Sequence, residues 1–209
     1  MIEINGLYKK FDDHTIFENF HLNIDDQEFI AITGMSGCGK TTLLNILGLL
    51  DFEYQGEVIY NQVHIKKLSN KKRAKFVREN ISYLFQNYAL IDDQTVYDNL
   101  LLALYYTKLK KEEKDKRIQE TLKKVGLEGF ENKKVYTLSG GEQQRIALAR
   151  VILKPCQIIL ADEPTGNLDS SNRDIVLENL LDLNKEGKTV IIVTHDDYIA
   201  KKCNRVIRL

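Results

Sequence analysis

Phe29-Ile30-Ala31-Ile32-Thr33-Gly34-Met35-Ser36-Gly37-Cys38-Gly39-Lys40-Thr41-Thr42 is the stretch on which the rest of the chain turns. Phe29–Thr33 is short, apolar and β-branched, the composition of a buried strand. From Lys40 onward, apolar residues at 43, 44, 46, 47, 49 and 50 follow a helical period. Between strand and helix, Gly34–Thr41 fits G-x-x-x-x-G-K-[ST], a pattern that carries meaning only in that context. Glycines at 34, 37 and 39 let backbone N–H groups turn inward as an anion nest, and the helix N-terminus adds partial positive charge. Lys40 is expected to reach β- and γ-phosphates, and Thr41 to offer its hydroxyl to Mg²⁺. The backbone of Gly34, Met35, Ser36, Gly37, Cys38 and Gly39, with Lys40, Thr41 and Thr42, is thus the predicted seat of a nucleoside triphosphate. A glycine-rich turn with a solvent-facing lysine would leave this context unexplained.

Working outward, further strand-like runs occur at Met1–Ile4, Gly56–Tyr60, Ile81–Phe85, Gln157–Ala161 and Val190–Thr194, and helical patterns at Glu142–Leu153 and Asn172–Leu183. The alternation of strand and helix predicts an α/β fold with a mainly parallel sheet. Residues 91–134 break it: Asp98–Leu109 and Lys111–Val125 read as helices with no strand between them. The expected organisation is one domain over 1–209, with a nucleotide-binding core from 1–90 and 135–209 and a helical insert at 91–134. Arg205–Leu209 reads as the last strand, with no regulatory domain expected beyond it.

The balance of 30 Lys and Arg against 30 Asp and Glu gives bulk electrostatics no preference for nucleic acid or lipid headgroups. Lys66–Lys133 carries 16 basic against 10 acidic side chains, read as a solvated helical face. The longest apolar stretches, such as Leu43–Leu50, fall well short of the roughly 18 to 20 residues of a membrane span. The N-terminus has no secretory pattern. Cys38, Cys156 and Cys203 are an odd number without a Cys-x-x-Cys pair, so neither disulfide partners nor a zinc site are expected, and the cytosol is the expected compartment.

Gln157–Ala161 ends in Asp162-Glu163. A carboxylate at the carboxyl end of a strand suits a Mg²⁺ shell, which assigns Asp162 to the metal, and Glu163, at the start of the next turn, to activating water. Leu138-Ser139-Gly140-Gly141-Glu142-Gln143-Gln144-Arg145 reads locally as a capped helix start, with Ser139 as N-cap and Glu142 closing a capping box. The same segment presents free N–H groups as a second anion site.

This segment resembles the signature of ATP-binding-cassette ATPases, and the resemblance runs the whole chain. Gln86 after its strand resembles the Q-loop, Asn167-Leu168-Asp169 the D-loop, and His195 in Thr194-His195-Asp196 the switch histidine. Phe11 stands 23 residues before Gly34, where the family places the aromatic that stacks on adenine, with Tyr8 the weaker choice. The resemblance implies a RecA-like P-loop core with an N-terminal antiparallel β portion and an inserted helical subdomain. It implies ATP and Mg²⁺ as cofactors, with Glu163, His195 and Lys40 catalytic and Thr41, Gln86 and Asp162 about the metal. It also implies a head-to-tail homodimer in which Ser139, Gly140, Gly141 and Glu142 of one copy close over ATP held by the other. Separate transmembrane permease subunits would complete it, placing the chain at the inner face of the cell membrane.

Leu44–Asp51 and Leu84–Ile91 are similar to the group of macrolide-exporter, lipoprotein-release and cell-division ATPases, closest to small bacterial cassettes for bacteriocin or peptide export. The 22 Lys against 8 Arg point to a low-GC bacterium. Transport and ATP-driven signalling to a membrane partner both remain open on these motifs. Cys38 departs from the Ser, Gly or Ala more usual at its position and predicts sensitivity to alkylation.

Overall fold

Side chains of the central strands point alternately to two separate cores, and this organises the molecule. The computed structural model describes residues 1–166 and 168–209. Strand β3 (Phe29–Thr33), whose middle residues are fully buried, sends Phe29 to one side and Ile30 and Ile32 to the other. It lies in a five-stranded sheet ordered β6-β7-β8-β3-β9, with β6 Ile81–Leu84, β7 Ile158–Asp162, β8 Thr189–Val193 and β9 Arg205–Arg208. Every pairing in it is parallel, as continuous apolar runs flanked by helices require.

On one face, α1 (Lys40–Leu47) and a second, antiparallel sheet close the first core around Ile30, Ile32, Leu43, Leu47, Leu160 and Ile191. That sheet is ordered β2-β1-β4-β5, from β1 Ile2–Phe11, β2 His14–Ile24, β4 Gln55–Tyr60 and β5 Val63–His64. On the other face, α5 (Gly140–Leu153) and α6 (Ser170–Lys185) build the second core with Phe29, Ile159, Val190 and Ile192. The helical segment joins this core: α3 (Val96–Leu101) and α4 (Lys111–Lys124) contribute Val96, Leu100, Ile118 and Leu122. Short α7 (Asp197–Ala200) packs near β3, and α2 (Asn70–Asn80) precedes β6 without burying a residue.

The α/β class, the parallel sheet and the antiparallel N-terminal portion stand as expected. Three details differ. The first strand runs on to Phe11 and pairs with β2, which has no counterpart among the sequence-derived strands because HTIFENFHLNI interleaves polar residues on an exposed face. The helix expected at Asp98–Leu109 is shorter, starting at Val96 with Thr95 as its cap and giving way to a 3₁₀ turn at Leu102–Leu104. Helix α2 was hidden by its composition, NKKRAKFVREN, which offers no apolar stripe.

Candidate functional site

Loop 34–39 joins β3 to α1, and its conformation explains its glycines. Gly39 is the residue before α1 and has φ +98°, in the left-handed region that side chains resist. A Cβ there would lie 2.4 Å from Cγ2 of Ile16 and 3.0 Å from Cζ of Phe17, so β2 rests directly on the loop. Gly37, at φ +81°, has nothing near it. Met35, Ser36 and Gly37 are exposed, Cys38 is half-buried, and Gly39 is buried. The Lys40 ammonium donates to the carbonyl oxygens of Gly34 and Met35, 2.9 Å each, which holds it over the loop.

Strand β7 delivers the carboxylates beside this loop. The Thr41 hydroxyl donates to Oδ1 of Asp162 at 3.4 Å, bringing the first residues of α1 to the end of β7. Burial raises the pKa of Asp162, opposed by the Thr41 hydrogen bond. A Thr hydroxyl and a carboxylate side by side are hard oxygen donors of the kind Mg²⁺ takes alongside phosphate oxygens and water. Among the described residues no group of three or more His, Cys, Asp or Glu could hold a metal by itself. The donor set therefore fits an ion carried with a polyphosphate.

Glu163 follows with φ +43°, an unusual backbone for a non-glycine residue, fixed by its N–H to the Val193 carbonyl at 2.9 Å. Its side chain meets the end of β8. Nδ1 of His195 donates to Oε1 at 2.8 Å, while the Thr194 hydroxyl and the His195 N–H lie 3.4 Å from Oε2. The hydrogen bond and charge of Glu163 raise the His195 pKa, although the ring is mostly exposed. Gln86, exposed just beyond β6, lines a small cleft with Glu163, Gln144 and Gly166.

Ser139 caps α5 by the expected box: its hydroxyl accepts from Glu142 N–H, and its own N–H and hydroxyl donate to Glu142 Oε2 at 2.7 and 2.8 Å. These bonds hold the Glu142 carboxyl below the usual range. Ser139 and Gly140 are exposed, and Gly141 and Glu142 half-buried. Among the described residues, the Ser139 hydroxyl and N–H bond only Glu142, its carbonyl accepts from the Gln143 N–H, and it touches neither the 34–41 loop nor Asp162 by a hydrogen bond. Phe11 is the last residue of β1, at the turn into β2, and is 49% exposed. Asp169 caps α6, its pKa lowered to about 2 by bonds from Asn172 and Ser171. Asn167, read as part of the D-loop, lies outside the described residues.

A sequence model of the family described as ABC transporter matches residues 17–166, which span the phosphate loop, the signature and the acidic strand end. The chain belongs to the ABC transporter family. It is an ATP-binding cassette with ATPase chemistry. It is 39% identical over its full length to the macrolide export ATP-binding/permease protein MacB of Campylobacter jejuni, but spans only 33% of that protein. It is 41% identical over its full length to the ABC transporter ATP-binding protein MJ1508 of Methanocaldococcus jannaschii, covering 95% of it. Among solved structures, a dimeric post-hydrolysis state of the cassette MJ0796 bound to ADP and Pi superposes with a TM-score of 0.92 at 38% identity, covering all of this chain and 94% of that one.

Two further contacts join helix α5 to the turns around the site. Gln144, buried on α5, donates to the Pro164 carbonyl at 2.5 Å and so ties the signature helix to the turn after Glu163. Arg150, two turns further on, donates to the Tyr88 and Ala89 carbonyls at 2.8 and 2.5 Å. Both of those residues have positive φ, +63° and +49°, so the guanidinium braces a strained turn just past Gln86. Gln144 stands within the signature segment, whereas Arg150, beyond it, carries no mark in the sequence.

Proposed function

We propose that this ABC ATPase works as a homodimer that closes head to tail around two ATP molecules and drives separate transmembrane permease subunits. Ser139 carries the proposal. Its capped, exposed helix end is an anion site with no phosphate to bind within its own chain, and a second copy supplies one. The dimeric form of the MJ0796 cassette supports the same arrangement. The chain matches 95% of the M. jannaschii ATP-binding protein and one third of the ATP-binding/permease protein MacB.

In this scheme the N–H groups of residues 34–42 and the Lys40 ammonium bind and orient the phosphates, and Phe11 stacks on adenine. Thr41, Asp162 and Gln86 would hold Mg²⁺, which neutralises developing phosphate charge when bound. Glu163 takes the proton of the attacking water. Its Oε1 is held by His195, which leaves Oε2, with contacts no shorter than 3.4 Å, free to accept it. His195 thereby orients the base and lies within reach of the γ-phosphate side. Residues 1–90 and 135–209 act as the core, and 91–134 as the body that responds to Gln86.

A groove of about 1080 Å³, with Phe52, Tyr83, Phe85, Leu102 and Tyr106 among its lining, runs between the core and this helical body. It fits a cytoplasmic helix of the permease. Among the described residues no helix is long and apolar enough to cross a membrane. Attachment to the inner face of a bacterial membrane through that groove is the proposed location, and export of a peptide, bacteriocin, lipid-linked or antimicrobial compound the proposed task.

Light scattering on Glu163→Gln with Mg-ATP tests the dimer, alongside phosphate release by the unmodified chain. An ATP-dependent doubling of mass that Ser139→Arg abolishes is the expected result. A Glu163→Gln protein that stays monomeric with ATP, both alone and with its permease, would overturn the shared site.

A further inference from the structure

Lys9 is a lysine almost without solvent contact, at 2% exposure, on the strand that ends in Phe11. Its ammonium pairs with Oδ2 of Asp51 at 2.8 Å, donates to the Glu53 carbonyl at 2.7 Å, and sits 4.6 Å from the centre of the Phe11 ring. Buried lysines are rare because desolvating an ammonium is costly, and neither binding nor hydrolysis as described uses this one. Asp51 follows α1 by only a few residues, so the pair links the strand bearing Phe11 to the far end of the helix that begins at the phosphate loop.

The seat of the ammonium is itself fixed. Within the connector 51–54, Arg73 lies over the Phe52 ring at 4.5 Å, and Lys66 lies over the Tyr54 ring at 3.9 Å and donates to the Tyr54 carbonyl. Three cations from three elements thus grip four consecutive residues.

We propose that Lys9 is a positioning residue for nucleotide-base recognition, holding Phe11 with one face backed by a buried ammonium and the other face free for the base. This rests on Phe11 being the adenine platform. Because Lys9 is buried and Phe11 half-exposed, the ammonium lies on the protein side of the ring. A cation there draws π-electron density inward and fixes the ring plane, which lowers the repulsion a stacked base meets on the outer face. Nucleotide affinity is thereby split between two anchored ends, the ring on β1 and the loop before α1, with the Lys9–Asp51 pair setting their spacing.

Calorimetric binding of ADP and of pyrophosphate to the full chain separates the two ends, since pyrophosphate has no base. Phe11→Ala is expected to weaken ADP about tenfold. Lys9→Met is expected to weaken ADP about two- to fivefold. It should leave pyrophosphate unchanged and add nothing in the Phe11→Ala background, while Lys9→Arg restores ADP binding. If Lys9→Met unfolds the chain, Lys9→Met with Asp51→Asn removes both charges of the pair and serves in its place. Full ADP affinity in these Lys9 variants while Phe11→Ala is impaired overturns the proposal. Equal losses of ADP and pyrophosphate overturn it as well, since they mark general damage. An unaffected Phe11→Ala instead removes the platform on which it rests.

Discussion

Replacing Gly39 by alanine separates two physical effects that the phosphate loop combines. The backbone at φ +98° places any L-residue in the left-handed region, at a cost of about 1–2 kcal/mol. The new methyl would also stand 2.4 Å from Ile16 Cγ2 and 3.0 Å from Phe17 Cζ, and forcing a methyl into packed surroundings costs about 1–3 kcal/mol. The expected destabilisation of Gly39→Ala is therefore about 2–5 kcal/mol, read as a lowered urea midpoint at unchanged slope. Gly37→Ala is the control: with φ +81° and nothing within 4 Å of the added carbon, it should show only the backbone part, about 1–2 kcal/mol. Ile16→Ala removes the offending methyl, so Gly39→Ala with Ile16→Ala should recover about 1 kcal/mol or more relative to additivity. Gly39→Ala no more destabilising than Gly37→Ala, or a cycle with no coupling, would show that β2 does not rest on the loop and would sink the geometry by which the β1–β2 hairpin brings Phe11 to the nucleotide.

Three further outcomes are expected. The His195 pKa is raised by Glu163, so the stability that His195 contributes is fully present below its unfolded value near 6.5 and is lost as pH rises through the higher folded value. The difference between unmodified chain and His195→Ala in urea titrations should shrink from pH 6 to pH 8, and a difference growing with pH would refute the pair. Arg150→Met should leave ATP affinity within about twofold but lower kcat about tenfold, because the Tyr88–Ala89 turn beyond Gln86 loses its brace while two carbonyls lose charged donors; equal activity would remove Arg150 from the coupling. N-ethylmaleimide should label Cys38 first, since burial raises the thiol pKa of Cys156 and carries that of Cys203 to about 12. ATP should protect it, and mass spectrometry of the labelled peptide decides.

The phosphate loop and its flanks were legible because one pattern, G-x-x-x-x-G-K-T, demands a strand on one side and a helix on the other, and both flanks carried the right period. Asp162, Glu163 and Ser139 were legible for the same reason: each sits where a strand or helix ends, and ends leave marks in sequence. Lys9, Arg150 and the contact made by Gln144 were not, because their partners are a carboxylate at 51 and backbone carbonyls at 53, 88–89 and 164, all distant in sequence. A Lys in Tyr8-Lys9-Lys10 looks like its solvated neighbour until the 51–54 connector folds over it. Strand β2 and helix α2 escaped because their stability comes from pairing and from chain connection rather than from an apolar stripe of their own.

The alternation of β7 between two cores has a consequence for how such a sequence can change. Ile159 and Ala161 belong to the helical side, and Ile158 and Leu160 to the side of α1. Deleting or inserting one residue in this strand would exchange those pairs between compartments and at the same moment carry Asp162 away from Thr41 and Glu163 away from His195. Indels in β7 are thus barred twice over, by two separate packings and by the chemistry at the strand's tip.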